Sequence, residues 1–252
     1  MRALLAYPMM VLMTILFIIP ISIMTLFRIP IAPNSFVGRG AHWWSKAVLW
    51  VSGVKVVVRN PQYISRTESR VYVSNHVSWY EIFALSTTID RYRFVAKKEI
   101  QRVPLFGRAA GAVAAIYIER QNRKAAFASY EQAAAQIRDG LNVAVFPEGT
   151  RGRTYELRPF KKGPFVLAIA AQVPIVPLIS WGSREVQAKG EIAIHSGTIE
   201  LTFLEPVETK GLTYEDRDAL VETVWNRIAA ALAEKGVPIV HNPAAVAGAA
   251  QE

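Results

Sequence analysis

In the stretch SNHVSWYEIF, residues 74–83, a histidine is followed five positions later by a glutamate, in a chain that has four histidines in all. An imidazole becomes a general base when a carboxylate holds one ring nitrogen and leaves the other bare. The apolar run VYVSN just before it reads as a strand, which places His76 in a strand-to-helix loop and Glu81 in the first helical turn. The same letters carry a plainer reading. Ser78-Trp79-Tyr80-Glu81 is S-x-x-E, a capping box in which Ser78 bonds the amide three residues on and Glu81 reaches back to the cap. Taken alone, the stretch favours a capped helix start, because such boxes are common and His-x4-Glu is a weak pattern.

Other chemistries are removed by inventory. The chain has no cysteine, so disulfides, thiolate metal sites and cysteine nucleophiles are excluded. His42, His195 and His241 lie far apart and none has a second histidine three to five residues away, so no local metal motif exists. Neither a G-x-S-x-G elbow nor a G-x-x-x-x-G-K-[ST] loop is present. With 29 Lys and Arg against 20 Asp and Glu, a net +9, the partner surface is expected to be anionic. Nucleic acid, membrane phosphates and a phosphorylated substrate all meet that description.

Three further stretches change the weight given to His76: AKKEIQRVPLFGRAAGAVAAIYIER (96–120), VAVFPEGTRG (143–152) and FKKGPFVLAIAAQVPIVPLIS (160–180). In order and spacing with NHVSWYE they resemble the glycerolipid acyltransferase family, over about residues 54 to 205. The resemblance implies transfer of an acyl group from a thioester of coenzyme A or acyl carrier protein to a hydroxyl of a lysophospholipid, with lysophosphatidic acid the leading acceptor. Glycerol 3-phosphate, another lysophospholipid or a lyso-aminolipid are the alternative acceptors, and a non-catalytic lipid-binding homologue is the alternative class. A thioester is already activated, so neither an enzyme nucleophile nor a cofactor is required.

By the same resemblance His76 is the base and Glu81 orients it, while Glu148, Gly149, Thr150 and Arg151 form the loop that takes the acceptor phosphate. Arg151 has the fork geometry to grip phosphate oxygens in pairs. Lys98, Gly107 and Arg120 are implied in acceptor or donor binding, with Lys97 and Arg108 as neighbours. Lys161 and Lys162 would add positive potential, and the segment Pro174 to Pro177 would support the floor of the site. One departure stands out: the family has HxxxxD, and this chain has HxxxxE.

Positioning these residues falls to an alternation of strands and helices. Short apolar runs at 54–58, 71–75, 94–96, 114–118, 142–146, 174–180 and 199–204 read as strands. Between them RKAAFASYEQAAAQIRD reads as a helix ending at Gly140, and a last helix runs from Tyr214 to Lys235 with Thr213 as its cap and Gly236 closing it. The expected class is α/β, a mixed, mostly parallel sheet flanked by helices, with the acyltransferase domain at 54–240 and a frayed tail at 241–252.

Residues 1–53 are expected to be a membrane anchor with an interfacial helix. From Ala3 to Phe27 there are 25 residues without a charge, about 37 Å if helical, against a hydrocarbon layer of ~30 Å. The run is about twice a signal peptide's apolar core and no A-x-A-like site follows, which favours a retained anchor. Pro8 and Pro20 leave a bent or re-entrant hairpin open. The segment AHWWSKAVLWVSG holds three of the six tryptophans and reads either as an interfacial helix or as a core helix. The apolar run sets membrane lipid above nucleic acid as partner, and the expected location is the cytoplasmic face of the inner membrane.

Overall fold

A computed structural model describes residues 2–31, 35–104, 106–118 and 123–240. The chain runs α1 (Arg2–Leu26), α2 (Gly40–Ser52), β1 (Val54–Arg59), β2 (Val71–Ser74), α3 (Tyr80–Thr88), β3 (Tyr92–Lys97), α4 (Phe106–Val113), β4 (Ala115–Ile118), α5 (Arg123–Arg138), β5 (Asn142–Val145), α6 (Gly163–Ala171), β6 (Ile175–Trp181), α7 (Ser183–Val186), β7 (Gly197–Phe203) and α8 (Arg217–Ala233). All seven runs read as strands form strands. They make one sheet in the order β1-β7-β6-β2-β5-β3-β4. Every neighbouring pair is parallel except β6 with β7, where Leu178 lies opposite Phe203.

The middle strands read as unbroken apolar runs because both their faces are covered. Val71, Val73, Val143, Val145 and Ile175 turn to the face packed by α5, α6 and α8. Tyr72, Ala144, Val176 and Leu178 turn to the face packed by α2 and α3. Pro177 lies within β6 just before the named β7 ladder begins at Leu178, and its carbonyl still accepts the Leu204 N–H at 2.8 Å. At the C-terminal end Thr213 caps as expected, in a box with Asp216 that starts a short 3-10 turn leading into α8.

Both prolines lie inside α1, which is one helix of 25 residues and not a hairpin. Its stretch from Leu4 to Leu26 is long and apolar enough to cross a membrane, and almost none of it is buried. Ala6 and Ile21 turn inward while Leu4, Leu5, Val11 and Leu16 are exposed. The α2 helix has one face turned to the core. Val48 and Leu49 pack with Tyr80 and Phe83 in the core, and Trp50 stands 79% exposed on the other side.

Candidate active site

Three adjacent parallel strands end side by side: β6, β2 and β5. The loops that leave them carry Ser183, His76 and Glu148 respectively. In parallel α/β sheets this carboxyl-end crevice is where ligands bind, since the loops converge there. Asn75 ties two of the ends together, its side chain accepting the Ser180 N–H at 2.8 Å and donating to the Ser180 carbonyl at 3.2 Å.

Glu81 does both things its position suggested. One carboxylate oxygen lies 2.6 Å from His76 Nδ1. The other accepts the backbone N–H groups of Val77 at 2.9 Å and Ser78 at 3.2 Å, and the Ser183 hydroxyl at 2.7 Å. Its side chain is fully buried. Every partner is a donor, as an ionised carboxylate requires, so Nδ1 carries the hydrogen and Nε2 presents its lone pair. Only half of the expected capping box forms. Ser78 Oγ accepts from Tyr80 N–H and donates to the Gln187 carbonyl, leaving the Glu81 amide to another arrangement.

The loop 146–152 holds His76 from the opposite side. Glu148 Oε1 accepts the His76 backbone N–H at 2.8 Å, and Gly152 N–H donates to the His76 carbonyl at 2.7 Å. Phe146 stacks on the imidazole at 3.9 Å between centroids and 15° between planes, with Phe94 in line behind it at 6.1 Å. The residue's backbone, the Nδ1 edge of its ring and one ring face are therefore held, in part by blocks far apart in sequence. Such a held imidazole loses little entropy on meeting a substrate hydroxyl.

Within that loop the side chains divide their work. Glu148 is buried, and burial pushes its carboxyl above the ordinary range, opposed by the Arg158 guanidinium and the His76 amide. Its second oxygen takes Arg158 Nε at 2.8 Å, and Arg158 also reaches Thr150 Oγ1 at 3.0 Å and the Thr150 carbonyl. Glu148 is thus an acceptor that shapes the loop, with no donor to offer an anion. Gly149 sits at φ +78°, and a Cβ there would lie 2.8 Å from Lys161 Cε, so the glycine lets the Lys161 ammonium lie over the loop.

Arg151 lies on the face of the loop toward Trp79. Its guanidinium lies 4.7 Å above the Trp79 ring, and no carboxylate among the described residues pairs with it. Burial pulls it below its ordinary value, and the charge of Glu81 works the other way, which places the two within electrostatic reach. A half-buried, unneutralised guanidinium beside an imidazole base suits an anionic group carried on a hydroxyl substrate.

Of the remaining expected residues, Lys98 begins an exposed 3-10 turn after β3. Gly107 lies in the first turn of α4, where a Cβ would come within 2.3 Å of the Gln101 carbonyl; close packing alone accounts for a glycine there. Arg120 and residues 241–252 lie outside the described residues. Lys162 pairs with Asp218 at 2.9 Å. Sequence reasoning did not single out Arg158, Ser183, Gly152 or the Phe146 ring as supports. Ser183 stands 102 positions from Glu81, so no local spacing announces it.

A family model described as Acyltransferase matches residues 55–181. The chain is 30% identical over 201 residues to the 1-acyl-sn-glycerol-3-phosphate acyltransferase of Cocos nucifera, taking in 79% of this chain and 65% of that relative. Its identity with the beta form of the same enzyme from Homo sapiens is 32% over 183 residues, 72% of this chain and 66% of that one. A putative relative of that name from Caenorhabditis elegans is 32% identical over 80% of this chain and 74% of its own length. The chain thus spans about two thirds of the length of the first two. The crystal structure of the 1-acyl-sn-glycerophosphate (LPA) acyltransferase PlsC from Thermotoga maritima shares the fold at a TM-score of 0.72 and 22% identity, covering 92% of this chain and 97% of that one.

Proposed function

This chain belongs to the acyltransferase family, and from that premise we propose that it is a membrane-associated O-acyltransferase whose acceptor is lysophosphatidic acid. It moves a fatty acyl group from a thioester of coenzyme A or acyl carrier protein to the sn-2 hydroxyl, giving phosphatidic acid for phospholipid synthesis. His76 Nε2 accepts the hydroxyl proton as the alcohol oxygen attacks the thioester carbonyl. The tetrahedral adduct collapses, the carbon–sulfur bond breaks, and the imidazolium returns the proton to the departing thiolate. Glu81 keeps Nδ1 protonated and pairs with the imidazolium while it exists. No cofactor enters, because the donor brings its own activation.

Arg151, with Lys161 over the Gly149 turn, takes the acceptor phosphate and so sets the hydroxyl against Nε2. Glu148 and Thr150 serve by shaping that loop. Lys98 and Arg120 remain assigned to donor or acceptor binding, and Gly107 to close packing against the Gln101 carbonyl. The helix α1 seats the chain in the bilayer from which the acceptor comes, with the domain on the cytoplasmic face of the inner membrane, where both soluble thioester donors are found. The observation that carries the reading is the grip on His76 by Glu81, Glu148 and Gly152 next to an unpaired Arg151. A panel of lysophosphatidic acid, glycerol 3-phosphate and other lysophospholipids, crossed with both donors, tests it. Phosphatidic acid formation is the expected result, and binding of lysophosphatidic acid without product would reduce the chain to a lipid-binding homologue.

A further inference from the structure

Around the 3-10 turn that precedes α4, large apolar residues are exposed where a domain would ordinarily hide them. Ile100, Val103 and Phe106 recur every third position and are 37%, 47% and 43% exposed. Close packing of Gly107 against the carbonyls of Ile100 and Gln101, with the Gly107 N–H on the Val103 carbonyl and the Val103 N–H on the Ile100 carbonyl, holds the backbone of the turn and the start of α4 together. Arg102 and Arg108 are exposed there as well.

The turn adjoins the apolar helix. α4 packs against α1, and Thr25, Gln101, Gly107 and Arg108 line one groove of about 440 Å³. Near that groove Ile23 and Leu26 of α1, and Phe27 just after it, are exposed. Large apolar side chains are thus exposed both on α1 and on the turn that leads into the helix packed against it, and Arg108 lines the groove between them. Large exposed apolar side chains in a cluster mark an interaction surface, and arginine heads at its rim fit lipid phosphates.

We propose that Ile100, Val103 and Phe106 form a second bilayer contact, an interfacial platform that enters the headgroup region of an anionic leaflet beside α1. Contact at two points fixes the rotation of the domain about α1, which one helix alone leaves free. The platform follows the carboxyl end of β3, on the same edge of the sheet as the loops of His76 and Glu148. A fixed rotation therefore holds that edge toward the lipid from which an acceptor is drawn. This rests on the membrane reading of α1 and adds a surface which that reading does not require.

Because the chain has no cysteine, single cysteines report cleanly. The full chain carrying Phe106→Cys, Leu12→Cys or Lys210→Cys is labelled with an environment-sensitive fluorophore. Each is reconstituted in vesicles of phosphatidylethanolamine and phosphatidylglycerol that carry a nitroxide quencher at a shallow or a deep acyl position. The label at 106 is expected to be quenched by the shallow nitroxide, the label at 12 by the deep one, and the label at 210 by neither. Arg102→Gln with Arg108→Gln should weaken the quenching at 106 and leave that at 12 unchanged, and high salt should do the same. A label at 106 that behaves like the one at 210 overturns the platform. If 12 is then still quenched, α1 alone meets the bilayer; if it is not, the membrane reading fails with it.

Discussion

The carboxylate of Glu148 accepts the backbone N–H of His76 at 2.8 Å, joining two motifs that lie 72 residues apart. A residue in the expected phosphate loop thereby sets the position of the proposed base. Glu148→Ala should lower kcat by about 10²-fold, since a shift of ~1 Å in a reacting group has an effect of that order. Glu148→Gln keeps an acceptor for the His76 amide and should lower kcat far less. Steady-state kinetics on the two variants check this, and equal losses would show that the charge matters rather than the acceptor.

Burial also gives Glu148 a pH signature. Its carboxyl is raised above the ordinary 4.5, so the folded protein keeps this proton at a pH where the unfolded chain has released it. Stability from this group is complete below about 4.5 and fades as the pH rises through the folded value. Relative to Glu148→Gln, the wild type should lose stability as pH climbs through the weakly acidic range. Thermal unfolding midpoints in matched buffers measure it, and a difference that grows in favour of wild type with rising pH would mean the Arg158 pair outweighs burial.

Glu81 replaces an aspartate typical of its family, and Ser183 is the contact that matches the longer side chain. From one backbone position an aspartate cannot reach the His76 ring, the Val77 and Ser78 amides and the Ser183 hydroxyl together. Glu81→Asp should therefore lower kcat by about tenfold, and Ser183→Ala by a similar factor. In the double variant the losses should not multiply, because both changes remove one shared interaction. A kinetic double-mutant cycle reads the coupling; strictly multiplied losses would separate Ser183 from the dyad.

Arg151 is expected to act on acceptor binding. Arg151→Lys keeps the charge and loses the paired grip, so the acceptor KM should rise by roughly 10- to 100-fold with kcat altered less, given ~1.5–3 kcal/mol for a charged hydrogen bond. Trp79→Leu removes the ring beneath the guanidinium, worth ~0.5–1 kcal/mol, and should raise the same KM a few-fold. A rise confined to the thioester donor's KM would move Arg151 to the donor side.

Much of this was legible in the residues. The seven strands follow from apolar runs bounded by turns, and the contact of His76 with Glu81 follows from the spacing within one motif, whereas the strands that lead to His76 and Arg151 become neighbours only in the folded sheet. Less legible was the division of labour inside FPEGTR, where Glu148 turns inward to His76 and Arg158 while Arg151 faces out. That division depends on Arg158 returning from outside the motif, which nothing in the motif encodes. Ser183 was invisible for a similar reason: β6 and β2 become neighbours only after the chain has crossed over the sheet, and the contact exists only then. The capping box was half right because Ser78 found the Gln187 carbonyl, a tertiary partner that local pattern cannot anticipate.

The central claim is that His76 is the base for acyl transfer to lysophosphatidic acid. Purified wild type and His76→Ala, matched for folding by circular dichroism, are incubated with labelled acyl thioester and lysophosphatidic acid, and phosphatidic acid is counted. The account predicts product from the wild type and a rate lower by about 10²- to 10⁴-fold in the variant. Wild-type rates from His76→Ala would contradict it.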